Sequence, residues 1–83
     1  MVHELKILPY YFNLVESGMK TFEIRLNDRN YQVGDILILH EYYGGKYTDK
    51  KIVAKVDAVI NFCVGVKKGY IVLLIETYKK IEI

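Results

Sequence analysis

The sequence has 83 residues, of which 52% are hydrophobic and 27% charged, and its net charge is +2. This length suits one domain, residues 1–83, with a single modest core, and it excludes a second domain. The longest apolar stretch, residues 70–75, is far shorter than the ~20 residues of a membrane span, and polar residues interrupt the N-terminal region where a signal peptide would lie.

The first elements in chain order are a strand and a helix. Residues 3–8 are rich in β-compatible side chains and end at Pro9, which suits the first turn of a helix because its missing N–H would be unpaired there anyway. Apolar residues then recur at helical spacing over residues 12–19. Gly18 is placed to end the helix in a left-handed conformation.

The next segment switches to the period of a strand. Residues 21–25 alternate, which predicts that Phe22 and Ile24 face the core while Glu23 and Arg25 face the other side. The polar, turn-prone stretch that follows carries two aspartates, at positions 28 and 35, which are predicted to bond nearby backbone amides.

The second half of the chain predicts three further strands. Residues 36–42 and 70–77 are apolar on both faces, as central strands are. Residues 44–50 indicate a flexible connection, after which residues 52–60 form one continuous apolar face of a long strand. Five strands and one early helix predict a mainly β, small closed or nearly closed barrel of about five strands, capped by an N-terminal helix.

Cysteine and histidine usage excludes several kinds of site. The lone cysteine, Cys63, has no partner for an internal disulfide or a CxxC zinc site, and it predicts a small buried hydrophobe in a cytoplasmic protein. His3 and His40 lack the close spacing of metal ligands, so neither a metal site nor a cofactor is predicted. A histidine in this setting commonly finds a structural hydrogen-bond partner.

Charged residues concentrate at the predicted junction between helix and strand. Glu23 and Arg25 lie on one strand face about 7 Å apart, and alone such a pair is an exposed ion pair worth at most about 1 kcal/mol. Lys20 at the junction and Arg29 in the following loop add two cations around the one acid. Because the planar fork of arginine holds phosphate or carboxylate by two hydrogen bonds, this arrangement predicts an anionic or amide-bearing ligand.

Tyrosines are the other unusual feature, with eight in the chain. Residues 42–51 interleave three tyrosines with three lysines, a pattern typical of proteins that stack unpaired bases; tyrosine is equally a common strand residue that packs with its hydroxyl in water. Tyr10 and Tyr11 lie closer to the charged segment and are candidates for a ligand wall.

The charged segment resembles a known family. The pattern G-x-K-x-x-E-x-R at residues 18–25 is similar to that of the ASCH domain, a branch of the PUA-like β-barrels. Its extension N-D-R-x-Y-x-V-G-D at residues 27–35 looks like a small bacterial and phage subset without a settled function, and the run that begins at His3 resembles the opening of the same subset. The resemblance covers essentially the whole chain and implies the PUA-like topology.

The resemblance also implies where a ligand binds. In ASCH domains the inferred site is the cleft between the early helix and the barrel, which places Lys20, Glu23 and Arg25 there, with His3 at its border. Some superfamily members are amidohydrolases that remove an acyl group from modified cytidine, and the lysine of a K-T-x-T-x-R stretch is their central catalytic group. This chain has Glu23 where those enzymes have threonine, and a nearby carboxylate disfavours the neutral amine that catalysis needs.

Three functional hypotheses follow. The leading one is a binding module whose cleft, lined by Lys20, Glu23, Arg25 and Arg29, recognises RNA or a modified nucleotide. The alternative is an amidohydrolase on an acylated nucleoside of the acetylcytidine type, with Lys20 as the activated amine and Glu23 as its acid/base partner. The third is an accessory protein that binds another protein through the barrel surface. The glutamate at position 23 favours binding over catalysis.

Overall fold

The computed structural model describes residues 1–61 and 65–82, with side chains up to Tyr78. Within these residues the chain forms five strands and one helix, so the predicted fold class, mainly β with one short helix, is confirmed. In chain order the elements are β1 (Val2–Ile7), α1 (Pro9–Glu16), β2 (Phe22–Leu26), β3 (Ile36–Tyr43), β4 (Lys46–Ile60) and β5 (Tyr70–Glu82).

All five strands form one curled sheet in the order β1-β3-β4-β5-β2. β1 pairs with β3 in parallel, and the other neighbouring strands are antiparallel. Parallel strands cannot be joined by a tight hairpin, so the chain passes through α1 and β2 before β3 returns beside β1. β1 and β2 are therefore the two edges of a half-barrel.

The core lies inside the curl. Alternation along β3 and β5 directs Leu37, Leu39 and Leu73 inward, where they are fully buried. α1 adds Phe12 and Val15, also fully buried, and the helix packs against β3 and β5. Because each such side chain stabilises the fold by about 1.5–3 kcal/mol, this interior holds the curl together.

α1 ends earlier than the sequence predicts. The helical pattern extends to Met19, but the last helical residue is Glu16 and Met19 is exposed. The predicted role of Gly18 is confirmed, because its φ of 79° is the left-handed conformation that ends the helix. That turn removes Met19 from the helical face.

β4 also differs from its prediction. The expected connection at residues 44–50 is a two-residue turn of Gly44 and Gly45, whose φ angles of 61° and 81° fit a tight hairpin, and the strand already begins at Lys46. A register shift between Val56 and Ala58 interrupts the apolar face predicted for residues 52–60, because the extra residue there changes which side chains face inward. The predicted burial of Cys63 lies outside the described residues.

Within the described residues, the first and last strands both belong to the same five-stranded sheet. The last strand continues past the predicted residues 70–77, and β5 ends at Glu82. Among the residues described, no helix is long and apolar enough to cross a membrane. The half-barrel thus presents three surfaces of interest: its outer face, its two strand edges and the mouth between those edges.

Candidate functional site

The site is built at the turn between α1 and β2. The backbone N–H of Lys20 donates to the carbonyl oxygen of Leu14 at 3.0 Å, and that of Gly18 donates to Val15 at 3.1 Å. These bonds fold the chain back onto the last helical turn and satisfy carbonyl groups that a helix end leaves unpaired. The turn places the side chain of Lys20 beside the inner face of β2.

Glu23 is the centre of the site. The residue is 3% exposed and lies opposite Leu73 in the pairing of β2 with β5. Lys20 Nζ donates a hydrogen bond to Glu23 Oε1 at 2.6 Å, and Arg25 Nε donates one to Oε2 at 2.9 Å. A carboxylate is retained in a protein interior when it is paired and hydrogen-bonded, and here each oxygen has its own cation.

This geometry reverses the predicted orientation of β2. Phe22 and Ile24, expected to face the core, are 38% and 48% exposed, while Glu23 faces inward. The prediction was wrong because it assigned the apolar side chains to the interior without weighing the pairing of Glu23 with two cations from the same segment. Since a strand alternates strictly, an inward Glu23 and Arg25 turn Phe22 and Ile24 outward.

Two arginines connect the two edges of the sheet. Arg25 Nη2 donates to the backbone oxygen of Lys6 at 2.8 Å, and Arg29 Nη1 donates to that of Glu4 at 3.2 Å. Both oxygens belong to β1 and face away from β3. Guanidinium groups therefore occupy positions where a further strand would pair with β1, and they satisfy acceptors that an open sheet edge leaves exposed.

Two cavities adjoin this connection, and both are lined by Lys6 and Arg25. The smaller, of about 520 Å³, lies between α1, β1 and β2 and is called the motif cleft below. Its walls are Lys6, Ile7, Leu8, Tyr11, Leu14, Lys20, Phe22, Glu23, Ile24 and Arg25. The larger, of about 800 Å³, is called the basic cavity, and its walls are Glu4, Leu5, Lys6, Arg25, Arg29, His40, Tyr47, Asp49, Lys50 and Lys51.

Aromatic side chains form part of the motif cleft. Lys20 Nζ lies 5.3 Å from the ring centroids of both Tyr11 and Phe22, within the range of cation–π attraction. Tyr10 contacts the Tyr11 ring edge-on, with centroids 5.3 Å apart, but it is exposed and lines neither cavity. Of the two tyrosines predicted as a ligand wall, only Tyr11 is placed at the cleft.

His3 lies apart from both cavities. It is buried, its Nε2 is 2.7 Å from Asp35 Oδ2, and its ring packs against Tyr31 with centroids 4.6 Å apart. Asp35 also accepts a hydrogen bond from the backbone N–H of Gln32 at 3.0 Å. The hydrogen bond with His3 is the largest cause that lowers the pKa of Asp35 to about 2, against the opposing effect of burial.

Tyr31 packs against His3, the partner of this second buried acid. Its ring is packed in the loop between β2 and β3, and burial raises the pKa of its hydroxyl, with Arg29 and Arg25 acting weakly in the opposite direction. His3, Tyr31 and Asp35 therefore fix the loop that carries Arg29. The structure places His3 in a supporting position under the site, away from the cleft border where the sequence predicts it.

The basic cavity contains residues that the sequence did not single out. Lys6 lies beside His40 in the β1–β3 pairing, and His40 lies beside Lys51 in the β3–β4 pairing. These positions are far apart in the chain and become neighbours through the parallel crossover, so no local pattern signals them. His40 Nε2 is 2.9 Å from Glu4 Oε1. Among the described residues, no group of three or more His, Cys, Asp or Glu side chains is placed to hold a metal ion.

Part of the predicted tyrosine and lysine stretch also reaches this cavity. Tyr47, Lys50 and Lys51 line it, and Lys6 Nζ lies 4.5 Å from the centroid of the Tyr42 ring. The cavity has five lysines and arginines against two carboxylates, Glu4 and Asp49. Its excess of positive charge suits an anion larger than a single carboxylate.

Comparison with known proteins gives a family and a fold. A family model described as a domain of unknown function (DUF3850) matches residues 2–75. An uncharacterized 12.9 kDa protein in the GpA 3′ region of Escherichia phage P2 is 47% identical over 60 residues, which cover 72% of this chain and 55% of that protein. The chain thus spans little more than half the length of this relative.

A solved structure shares the architecture. The crystal structure of hypothetical protein PH0355 superimposes with a TM-score of 0.65, over 94% of this chain and 100% of that one, at 22% sequence identity. This likeness concerns the arrangement of the strands and helix. Chemical roles must therefore be argued from the residues of the present chain.

Proposed function

The chain belongs to the DUF3850 family, whose domains have no known function, and from that premise we propose that it binds RNA or a modified nucleotide in the motif cleft and the adjoining basic cavity. The resemblance of residues 18–25 to the ASCH domains of the PUA-like superfamily supports this proposal. The argument from the residues themselves rests on charge, shape and the buried carboxylate of Glu23.

The observation that carries the proposal is that the two cavities share walls. Lys6 and Arg25 line both, so a ligand in the motif cleft lies next to a surface with five cations. Lysines and arginines that neutralise phosphates provide most of the affinity of sequence-independent nucleic-acid binding. A nucleotide seated in the cleft would therefore have its neighbouring phosphates in the basic cavity.

The motif cleft has the features of a base pocket. Tyr11 and Phe22 offer aromatic surface against which an unpaired base can stack. Glu23 at its floor has carboxylate lone pairs beyond those used by Lys20 and Arg25, and these can accept from an exocyclic amine of a base. Stacking supplies affinity, whereas the carboxylate supplies preference for bases that carry a donor.

A titration with RNA tests the proposal. A fluorescently labelled single-stranded RNA of about ten nucleotides, the scale of single-strand sites, is titrated at low salt with the wild type and with Arg29→Gln. We expect the variant to bind about 5–10-fold more weakly, with a salt dependence reduced by about one ion, because one phosphate contact is lost.

The matched control is Lys67→Gln, which removes the same charge from an exposed turn outside both cavities. It should change the affinity less than about twofold, since a distant surface charge is screened by salt. Equal losses in the two variants would indicate attraction by net charge alone. Absence of RNA binding by folded wild type at low salt would contradict the proposal.

A second candidate function, amidohydrolysis, is favoured by one observation. Lys20 Nζ and Glu23 Oε1 are 2.6 Å apart at the wall of a cavity, which is the distance of direct proton transfer. If Glu23 accepts the proton, Lys20 becomes an amine that can act on the acyl group of a modified nucleoside.

Incubation with acetylcytidine separates the two candidates. Release of acetate by the wild type and its loss in Lys20→Met would establish the hydrolase, with binding of the intact nucleoside by the variant as evidence that it is folded. Binding of the nucleoside by the wild type without release would support the recognition module instead.

A further inference from the structure

An uncharged apolar surface covers part of the outer face of the half-barrel. The three outward side chains of β2 lie opposite three outward side chains of β5 in the antiparallel register. We call these six residues the outer patch: Phe22, Ile24, Leu26, Tyr70, Val72 and Leu74. On the far side of β5, Ala58 and Ile60 of β4 pair with Leu74 and Val72 and extend the apolar surface, so it crosses three strands.

The outer patch is too exposed to be explained by the fold. Ile24 and Leu26 are 48% and 50% exposed, and Leu74 is 40% exposed, while the core is formed by the opposite faces of the same strands. With about 200 Å² for a fully exposed large side chain, the patch offers roughly 400 Å². A patch of this size on a single chain is often an interaction surface.

Charged residues lie at both ends of the outer patch with opposite sign. Lys67 and Lys68 are exposed in the turn before Tyr70, and Asp28 at the same end pairs with Arg29 at 4.0 Å, so the charge of the two lysines remains. At the other end Glu76 follows Leu74 on β5. Beside it Asp57 pairs with Lys55 at 3.2 Å, and so one net negative charge remains. The two ends are about 20 Å apart along the strand.

We propose that the outer patch is the interface of a symmetric homodimer. A two-fold axis that lies between the two outer faces and runs across the strands stacks β5 on its own copy in reverse direction. Leu74 then lies over Tyr70 of the partner subunit, and Lys68 lies near Glu76 of the partner subunit. An axis along the strands would instead place like charges together, so the charge distribution selects the reversed arrangement.

The small area of the outer patch predicts a weak dimer. Two outer patches bury roughly 800 Å² in total, below the 1,200–2,000 Å² of stable interfaces. Because association also costs translational freedom, the dimer is reversible, with a dissociation constant weaker than about 1 µM. The outer patch and the motif cleft share Phe22 and Ile24, so the dimer is tested in the absence of RNA.

Sedimentation velocity on the full chain tests the dimer, from about 5 µM to about 1 mM, a range chosen for a weak interface. The wild type should shift from monomer to dimer with rising concentration. Ile24→Lys places a charge at the centre of the patch and should weaken association more than about tenfold. Val33→Lys makes the same change at an exposed apolar residue outside the patch and should leave association unchanged.

Charge reversal tests the orientation. Lys68→Glu and Glu76→Lys should each weaken the dimer several-fold, and the double variant should restore it, because the reversed pairs attract again across the two-fold axis. Thermal melting checks that each variant is folded. A folded wild type that stays monomeric at the highest concentration would overturn the proposal, as would a double variant weaker than either single one. Binding of monomer to neutral lipid vesicles through Ile24 would assign the patch to a membrane surface and overturn it as well.

Discussion

Glu23 and Asp35 are two buried acids that the protein uses in different ways. Each is held by more than one donor, Glu23 by Lys20 and Arg25, and Asp35 by His3, a backbone amide and the exposed ammonium group of Met1 at 3.1 Å. The side chains of Lys20 and Arg25 are 15% and 24% exposed and line a cavity, whereas that of His3 is 4% exposed and packs against a tyrosine. The two acids are thus alike in burial and pairing, and they differ in that the side-chain partners of Glu23 line the cavities.

We call Asp35 the closed acid, because it lines neither cavity, and Glu23 the open acid, because it lines the motif cleft. The largest expected effect is on the stability of the fold when the closed acid is replaced. Asp35→Ala leaves the ring of His3 and the N–H of Gln32 without their acceptor in a buried place, and we expect the free energy of unfolding to fall by about 3–5 kcal/mol. This is a large share of the roughly 5–15 kcal/mol typical of a domain. Urea denaturation measures it.

Glu23→Ala is the matched comparison. Its cations reach water through the cavity, so the cost should be smaller, about 1–2 kcal/mol. If Glu23→Ala destabilised the protein as much as Asp35→Ala, the distinction between an open and a closed acid would fail.

Acid should remove the stabilisation that Asp35 provides. The pKa of Asp35 is lowered from 3.8 to about 2 in the folded protein, so the unfolded chain takes up the proton first as the pH falls. The stabilisation from Asp35 is therefore complete above about pH 4 and is lost as the pH falls through about 2.

The measurement is the difference in free energy of unfolding between the wild type and Asp35→Asn, from about pH 5 to about pH 2. Because asparagine does not titrate, the difference should shrink towards low pH. A difference that stayed constant over this range would show that Asp35 is not the titrating group.

Much of the fold could be predicted from sequence because its signals are local. Gly18 ends the helix as expected, and the alternating apolar residues give the five strands. The inverted faces of β2 could not be predicted from alternation, since both faces of a five-residue strand were consistent with burial. The inward placement of Glu23 comes with the pairing of β2 and β5, where it lies opposite Leu73, and that is a tertiary property.

The candidate site shows the same limit. Of the four charged residues predicted for one cleft, Lys20, Glu23 and Arg25 line the motif cleft, because they come from one short segment. Arg29, from the next loop, lines the basic cavity instead. Lys6 and His40 were not predicted to join them, because they are brought there by the parallel pairing of β1 with β3. The resemblance of the run that begins at His3 predicted this residue at the border of the cleft. The structure places it against Asp35.

The smallest expected effects are changes in RNA affinity. They test most directly whether Glu23 and Asp35 differ in function. Glu23→Gln removes the negative charge between Lys20 and Arg25, which raises the net charge of the motif cleft by one. Affinity for single-stranded RNA at low salt should therefore rise about 2–3-fold, and its salt dependence should increase by about one ion. Any preference among bases should diminish, because glutamine also carries donors.

Asp35→Asn changes charge by the same amount at the closed acid, and there the affinity should stay within about twofold of the wild type, since Asp35 lines neither cavity and its charge is offset locally. Fluorescence anisotropy with the same RNA measures both variants. Equal gains would mean that net charge alone governs binding and that the open carboxylate has no special position. A gain confined to Glu23→Gln would instead tie RNA affinity to the one buried acid whose partners face a cavity.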